Sequence, residues 1–269
     1  MSRHEQWRFE GRTGELYERH LVPAIFGPWA ATLVEVAALR AGERVLDVAC
    51  GTGVVTRLAA RHVGSAGHVT GVDLNSGMLA IARSLPPVGG ASITWAAMNA
   101  AVLDLADASF DVVTCQQGFQ FFPEKRASLH EMCRVLVPRG RIVLSIWRRP
   151  NAYNIAMADA ADRYIGSEAA AILRATRDVP DVQELHRLIT DAGFHEVQIR
   201  THVRTTRLPR VEEFVQWHLA ATPVAAAVAA LSDEKRRALA TDVGRALKSY
   251  ADRDDVAFPD ESSLITAQT

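Results

Sequence analysis

Apolar residues recur at helical spacing over residues 16–39, broken by Pro23 and Pro28, and predict short helices ahead of the main fold. From residue 44 the pattern changes to short apolar runs that alternate with amphipathic ones. Residues 44–48, 69–72, 92–95, 110–115 and 141–147 read as strands, with helices over 54–63, 77–82 and 124–136 between them. In the helix at 124–136, Leu129, Met132, Cys133 and Leu136 stand at i, i+3, i+4 and i+7 and make one apolar face; Pro138 and Gly140 stop it. Strands alternating with helices predict an α/β chain whose parallel sheet is covered on both faces.

Beyond Pro150 the pattern is helical to about residue 173. Asp181, with Glu184 three residues on, is a capping-box signature; Val182, Leu185, Leu188 and Ile189 form the inward stripe of that helix, and Gly193 suits its C-terminal turn. Val197, Ile199, Thr201 and Val203 then alternate as a strand does. Residues 210–252 are helical and rich in alanine, with a helix start at Ser232, and 263–268 read as a final strand. The expected organisation is an N-terminal helical cap at 1–40, an α/β core at 41–206 and 256–269, and helical lid insertions at 150–175 and 207–255.

The chain has 269 residues, 48% of them hydrophobic, enough for one sizeable core. A formal net charge of −1 argues against a nucleic-acid partner, which favours a basic face. Cys50, Cys115 and Cys133 are too few and too scattered for a disulfide framework. The first residues are polar and no apolar run approaches the roughly 20 residues of a membrane span, so a soluble, cytoplasmic protein without stable membrane insertion is expected.

The strongest local signal is the run from Val45 to Gly53, where an apolar strand enters a glycine turn ahead of a helix. Gly51 and Gly53 allow close approach of a ligand to the main chain. Asp73 ends the second strand, where a carboxylate can accept from both hydroxyls of a ribose. A dinucleotide fingerprint wants a third small residue where Thr56 stands. Asp47, just before the turn, disfavours a pyrophosphate and suits a ligand with an ammonium and a sulfonium, as in S-adenosyl-L-methionine. An NAD-dependent oxidoreductase is the weaker alternative.

The runs V-L-D-V-A-C-G-T-G, G-V-D-L-N-S-G-M-L-A-I-A-R, F-D-V-V-T-C-Q-Q-G-F-Q-F-F-P and R-V-L-V-P-R-G-R-I-V-L-S-I-W resemble the class I methyltransferases. The nearest subgroup contains the ubiquinone/menaquinone-biosynthesis enzymes and many natural-product methyltransferases. The resemblance covers roughly residues 40–150. It implies a Rossmann-like fold with a mostly parallel seven-stranded sheet, helices on both faces and a helical lid. It also implies S-adenosyl-L-methionine as cofactor, S-adenosyl-L-homocysteine as product and no metal. By position, Gly51 and Gly53 would line the methionyl side, with Asp47 near the ammonium. Asp73 would hold the ribose, and Leu74 and Met78 would pack on the adenine. Asn99 and Ala100 stand where the subgroup has Asp-Ala and would serve the adenine edge. Gln116 and Gln117 fall at the methionyl moiety.

Methyl transfer from a sulfonium is an in-line displacement, so placing the acceptor in a dry pocket is the main task. The chain lacks G-x-S-x-G, and His130-Glu131 fails as H-E-x-x-H because Arg134 replaces the second histidine. Gln116-Gln117-Gly118-Phe119 replaces the [N/D]-P-P-[Y/F] of enzymes that methylate bases or glutamine, which points to a small-molecule acceptor, with O-, N- and C-methylation all open. Candidate acceptor contacts are Tyr17, Phe119, Trp147, Asn151, Tyr153 and Trp217, with His20 or His218 as a general base. Tyr17 and His20, three apart, would share a helix face. The alanines at 225–230 suit helix packing, a moving lid or a dimer contact, so monomer and homodimer both stand. A SAM-binding scaffold without catalysis is the alternative from a different class.

Overall fold

A computed structural model of the protein describes residues 12–269. One helical run opens it: α1 (Arg12–Leu16), a π-helical segment (Tyr17–Phe26) and α2 (Gly27–Ala37). Then come β1 (Arg44–Val48), α3 (Val54–Val63), β2 (His68–Asp73), α4 (Ser76–Ser84), β3 (Ser92–Ala97) and β4 (Phe110–Gln116). The core continues with α5 (Lys125–Val135), β5 (Leu136–Trp147), α6 (Ala152–Tyr164), α7 (Ser167–Ala175) and α8 (Val182–Asp191). The last part holds β6 (His195–Pro209), α9 (Val211–Ala220), α10 (Ala225–Ala229), α11 (Asp233–Ala246), β7 (Ala251–Asp252) and β8 (Asp255–Gln268).

The sheet runs β3-β2-β1-β4-β5-β8-β6, with the two-residue β7 added beside β8. The pairs from β3 to β5 are parallel, and β8 lies antiparallel to both β5 and β6. This is the Rossmann-like methyltransferase architecture. Val45, Leu46, Val69, Val112 and Val113 are fully buried, as parallel strands covered on both faces require. On one face, Leu129, Met132 and Val135 of α5 pack with Leu185 and Ile189 of α8. Elsewhere α2 and α3 cover the sheet through Leu33, Val34, Val55 and Ala59.

Several expectations change in detail. Pro23 does not break the first helix: it lies inside the π segment, and Pro28 sits at the start of α2, where a missing N–H is harmless. The continuous helix, residues 13–37, is 25 residues long and holds an 18-residue stretch with a mean hydropathy of 1.3, long and apolar enough to cross a membrane. Half of that stretch is buried in the protein, with Trp29, Leu33 and Val34 in the core. α5 ends at Val135, and Leu136 already pairs with Phe110 in the sheet. Val182 is 43% exposed on the first turn of α8 and is no part of its inward stripe.

The largest departure is the length of β6 and β8. Their pairing runs from His195↔Gln268 to Pro209↔Asp255, well past the end of β5, and part of it occupies chain expected to be helical. β5 pairs with β8 only as far as Trp147↔Ser262, so Pro259 sits where β8 has lost that neighbour and its missing N–H is tolerated. This arm carries Leu208, Val256 and Phe258 into a second core with Trp29, Trp147, Tyr153, Phe214 and Leu239. Between that core and the carboxyl ends of β1, β2, β4 and β5 lies a cavity.

Candidate functional site

β1 ends in a turn that places Ala49 and Gly51 in the left-handed region, with φ of 57° and 56°. Below the turn, Asp47 is 1% exposed and accepts from Thr56 Oγ1 at 2.6 Å and Thr114 Oγ1 at 2.9 Å. It ties β1 to α3 and β4 through these hydroxyls and is not among the residues that line the cavity. Burial raises the Asp47 carboxyl to about 6, with the two threonine hydroxyls pulling it back down. The folded state therefore holds this proton more tightly than the unfolded chain, and the contribution to stability falls as pH rises from about 4 to 6, by about 3 kcal/mol. Asp47→Asn keeps an acceptor for a threonine hydroxyl and removes that slope. Denaturant unfolding at pH 4.5 and 7 is expected to favour the variant increasingly at the higher pH; a constant difference would mean that Asp47 titrates normally.

Gly53 also has a positive φ, +88°, but it is no cavity residue either. A Cβ there would meet Trp95 Cη2 at 2.2 Å, so this glycine lets the start of α3 approach the ring on β3. Gly51 has open space around a built Cβ and does line the cavity.

Asp73, at the end of β2, accepts from the Gly51 amide through Oδ2 and from the Asn75 amide through Oδ1, both at 2.8 Å. Burial pushes its carboxyl up while those amides pull it down. Helix α4 is capped by Asn75, which accepts from Gly77 and Met78, so Asp73 is left to the cavity it lines. Leu74, Met78, Asn99 and Ala100 line the same end. Asn99 Oδ1 accepts from the Ala101 amide at 3.0 Å and keeps a second lone pair. Tyr17 belongs here too. Burial and then the charge of Asp73 push its phenol up, and its ring stacks on Phe26 at 4.9 Å.

At the end of β4, Gln116 donates from Nε2 to Phe26 O at 2.9 Å and so holds the helical run against the sheet. Gln117 takes a left-handed φ of 53° and donates to Ser262 Oγ at 3.1 Å. Among the described residues, Oε1 of each glutamine is buried without a hydrogen-bond partner. Both glutamines line the cavity, and each keeps one buried carbonyl oxygen without a donor.

The far end is aromatic and contains an ion pair. Arg177 meets Asp260 in a two-pronged contact, 2.8 and 3.1 Å, with the side chains 5% and 2% exposed. Its guanidinium lies 4.1 Å from the Trp147 ring centroid. Gln120 secures this corner, donating to Thr176 O at 2.7 Å and accepting from the Trp147 amide at 3.1 Å. Tyr153 stacks between His218 and Phe258, and its hydroxyl contacts His218 Nδ1 at 2.9 Å. Asn151 caps α6, and Asn154 Oδ1 is buried without a partner among the described residues.

The cavity, about 270 Å³, thus gathers Tyr17, Gly51, Asp73, Leu74, Met78, Asn99, Ala100, Gln116, Gln117, Trp147, Asn151, Tyr153 and His218. Asp47, Gly53, Phe119, His20 and Trp217 are not on its wall. Phe119 is fully buried, edge-on to Phe122. His20 stacks on Trp217 at 3.8 Å, away from Tyr17, because the wider π turn separates residues three apart. His218 is lowered to about 4, first by burial and then by the Arg177 charge, so it is neutral near pH 7 and a weaker base than an ordinary histidine. Arg177, Asp260, Phe258 and Asn154 also line the cavity and were not among the sequence-derived candidates.

The sequence model of the ubiE/COQ5 methyltransferase family matches residues 23–206. The ubiquinone/menaquinone biosynthesis C-methyltransferase UbiE of Ectopseudomonas mendocina is 31% identical over 183 residues, covering 63% of this chain and 72% of the relative. Its counterpart in Chromobacterium violaceum is 30% identical over 180 residues, with 63% and 74% covered. Among solved structures, the YcgJ protein of Bacillus subtilis aligns with a TM-score of 0.56 at 18% identity, over 89% of this chain and 97% of that one. Phosphoethanolamine N-methyltransferase 2 of Haemonchus contortus, in complex with S-adenosyl-L-methionine, aligns with a TM-score of 0.55 at 16% identity, over 90% and 52%. At those identities the structural likeness speaks for the fold alone.

Proposed function

The chain belongs to the ubiE/COQ5 methyltransferase family, and from that premise we propose that its cavity is divided into a cofactor end at Asp73 and an acceptor end at Tyr153. The protein is an S-adenosylmethionine-dependent methyltransferase acting on a small molecule. Our reading of the cofactor end rests on one observation: Asp73, Gln116 and Gln117 line the same cavity at the carboxyl ends of β2 and β4, and Oε1 of each glutamine lacks a partner among the described residues. Those ends flank the point where the strand order reverses, the usual binding crevice of an open α/β sheet.

Asp73 accepts the ribose hydroxyls, Met78 and Leu74 cover the adenine, and Asn99 with the Ala100 backbone serves its edge. The Oε1 atoms of Gln116 and Gln117 take the ammonium, a charge-assisted contact that removes two buried unsatisfied acceptors. When bound, the cofactor supplies a methyl carbon that is electrophilic because it sits on a positively charged sulfur. The chain aims the acceptor at that carbon and keeps water away, with the helices α6, α7, α9, α10 and α11 acting as the lid.

For the acceptor we favour a reduced quinone ring methylated on carbon. The relatives are named for C-methylation in ubiquinone/menaquinone biosynthesis, and Trp147, Tyr153 and Phe258 make this end of the cavity aromatic. Incubation with S-adenosylmethionine and chemically reduced 1,4-naphthoquinone tests it. Ring-methylated naphthoquinol and an equal amount of S-adenosylhomocysteine are expected; methylation only of oxygen, or of amines supplied instead, would contradict it. Asp73→Ala is expected to weaken S-adenosylhomocysteine binding about 5- to 150-fold, the equivalent of 1–3 kcal/mol for deleting a buried hydrogen-bond partner. Unchanged affinity by calorimetry would remove Asp73 from the ribose site.

A further inference from the structure

Tyr153 is 2% exposed, and among the described residues its hydroxyl has one hydrogen-bond partner, His218 Nδ1 at 2.9 Å. A buried hydroxyl has one proton to place. If Nδ1–H were the donor, the phenolic proton would be left with no acceptor among the described residues, and an unsatisfied buried donor is costly. The phenol therefore donates, Nδ1 accepts with its lone pair, and the neutral ring carries its proton on Nε2. Stacking of Tyr153 on Phe258, 5.9 Å away at 14°, and the edge of Phe214 against both rings hold this pair in place.

The surroundings keep both groups in those states. Burial, and then the Arg177 charge, hold the imidazole at about 4, so it is neutral throughout the neutral range. Burial pushes the Tyr153 phenol well above its ordinary value, so it remains a donor. The charged groups facing this corner are Arg177, after α7, and its partner Asp260 on β8. His218 lines the cavity, and its Nε2 has no hydrogen-bond partner among the described residues.

We propose that His218 is a catalytic residue that donates a hydrogen bond from Nε2–H to an oxygen of the acceptor, held there as its oxyanion. The inference rests on the methyltransferase reading above and concerns the state of its phenolic acceptor, whose hydroxyl proton passes to water as it binds. A neutral imidazole N–H stabilises a neighbouring oxyanion without protonating it, which is the use to which a histidine of lowered pKa is suited. The Arg177 guanidinium on the same wall adds positive potential, reduced by Asp260. Tyr153 is a positioning residue that fixes the tautomer.

Two measurements test this. Nitrogen-15 NMR of the histidines, in the unliganded protein from pH 5.5 to 8, is expected to show His218 neutral with its proton on Nε2 and to lose that preference in Tyr153→Phe. A proton on Nδ1, or an imidazolium at pH 6, overturns the proposal. The second probe is 4-nitrophenol, whose ionisation is read by absorbance, titrated in the complex with S-adenosylhomocysteine. Its midpoint is expected to fall by at least one pH unit on binding. His218→Phe should abolish that shift, while His218→Gln, which keeps an N–H donor and cannot titrate, should retain most of it. No binding, no shift, or equal shifts in the phenylalanine and glutamine variants overturn the proposal. Failure of the methyltransferase reading is seen separately, as an absence of S-adenosylhomocysteine binding, and leaves the proton position on His218 still to be read.

Discussion

Arg177→Met is expected to lower the stability of the folded protein by about 3–5 kcal/mol, the range for breaking a buried ion pair on one side. The loss comes from Asp260, which is 2% exposed as a side chain and keeps only the Glu261 amide as a donor once the guanidinium is gone. Trp147 also loses the cation over its face. The companion variant Arg177→Met/Asp260→Leu removes both charges and is expected to recover most of the loss, because two apolar groups leave nothing unpaired. Urea unfolding of the three proteins decides it. A single variant less stable by under about 1 kcal/mol would mean that water reaches Asp260, and the acceptor end would then be wet rather than closed.

The second large effect is expected at the glycine turn. Gly53→Ala places a Cβ 2.2 Å from Trp95 Cη2 at a residue whose φ is +88°. Left-handed strain costs about 1–2 kcal/mol, and overpacking against a ring adds about 1–3 kcal/mol. A total of about 2–5 kcal/mol follows if the ring cannot give way. Gly51→Ala is the control: its φ is +56°, yet a Cβ meets nothing within 4 Å, so only the strain remains. Trp95→Leu in the Gly53→Ala background should cost less than the two changes summed, since residues in contact couple. Equal costs at Gly51 and Gly53 would show that Trp95 moves freely.

These two sites also mark what was legible in the chain. The parallel strands announce themselves because burial on both faces leaves apolar runs such as Ile142, Val143 and Leu144. The arm formed by β6 and β8 is half exposed and interrupted by Pro259 and Asp260, so its signal fades outside residues 197–203 and 263–268. Pro23 reads as a helix breaker, and only the π geometry, invisible to an α-helical period, absorbs it. Asp73 was read from a strand end, and Asn99, Gln116 and Gln117 from the family resemblance; all four line the cavity. Gly53 and Asp47 stand in the same motif but act inward, one against Trp95 and one on two threonines. The acceptor end was less legible, since Arg177, Asp260 and Phe258 meet only through tertiary contacts between segments far apart in sequence.

The central claim, that this cavity binds S-adenosylmethionine through its own Asp73 and glutamine acceptors, is tested most directly by isothermal titration of the purified protein with S-adenosylmethionine, S-adenosylhomocysteine and NAD. Binding of the first two in the micromolar range, with no heat from NAD, is the result expected. Binding of NAD without either of the others would contradict the account.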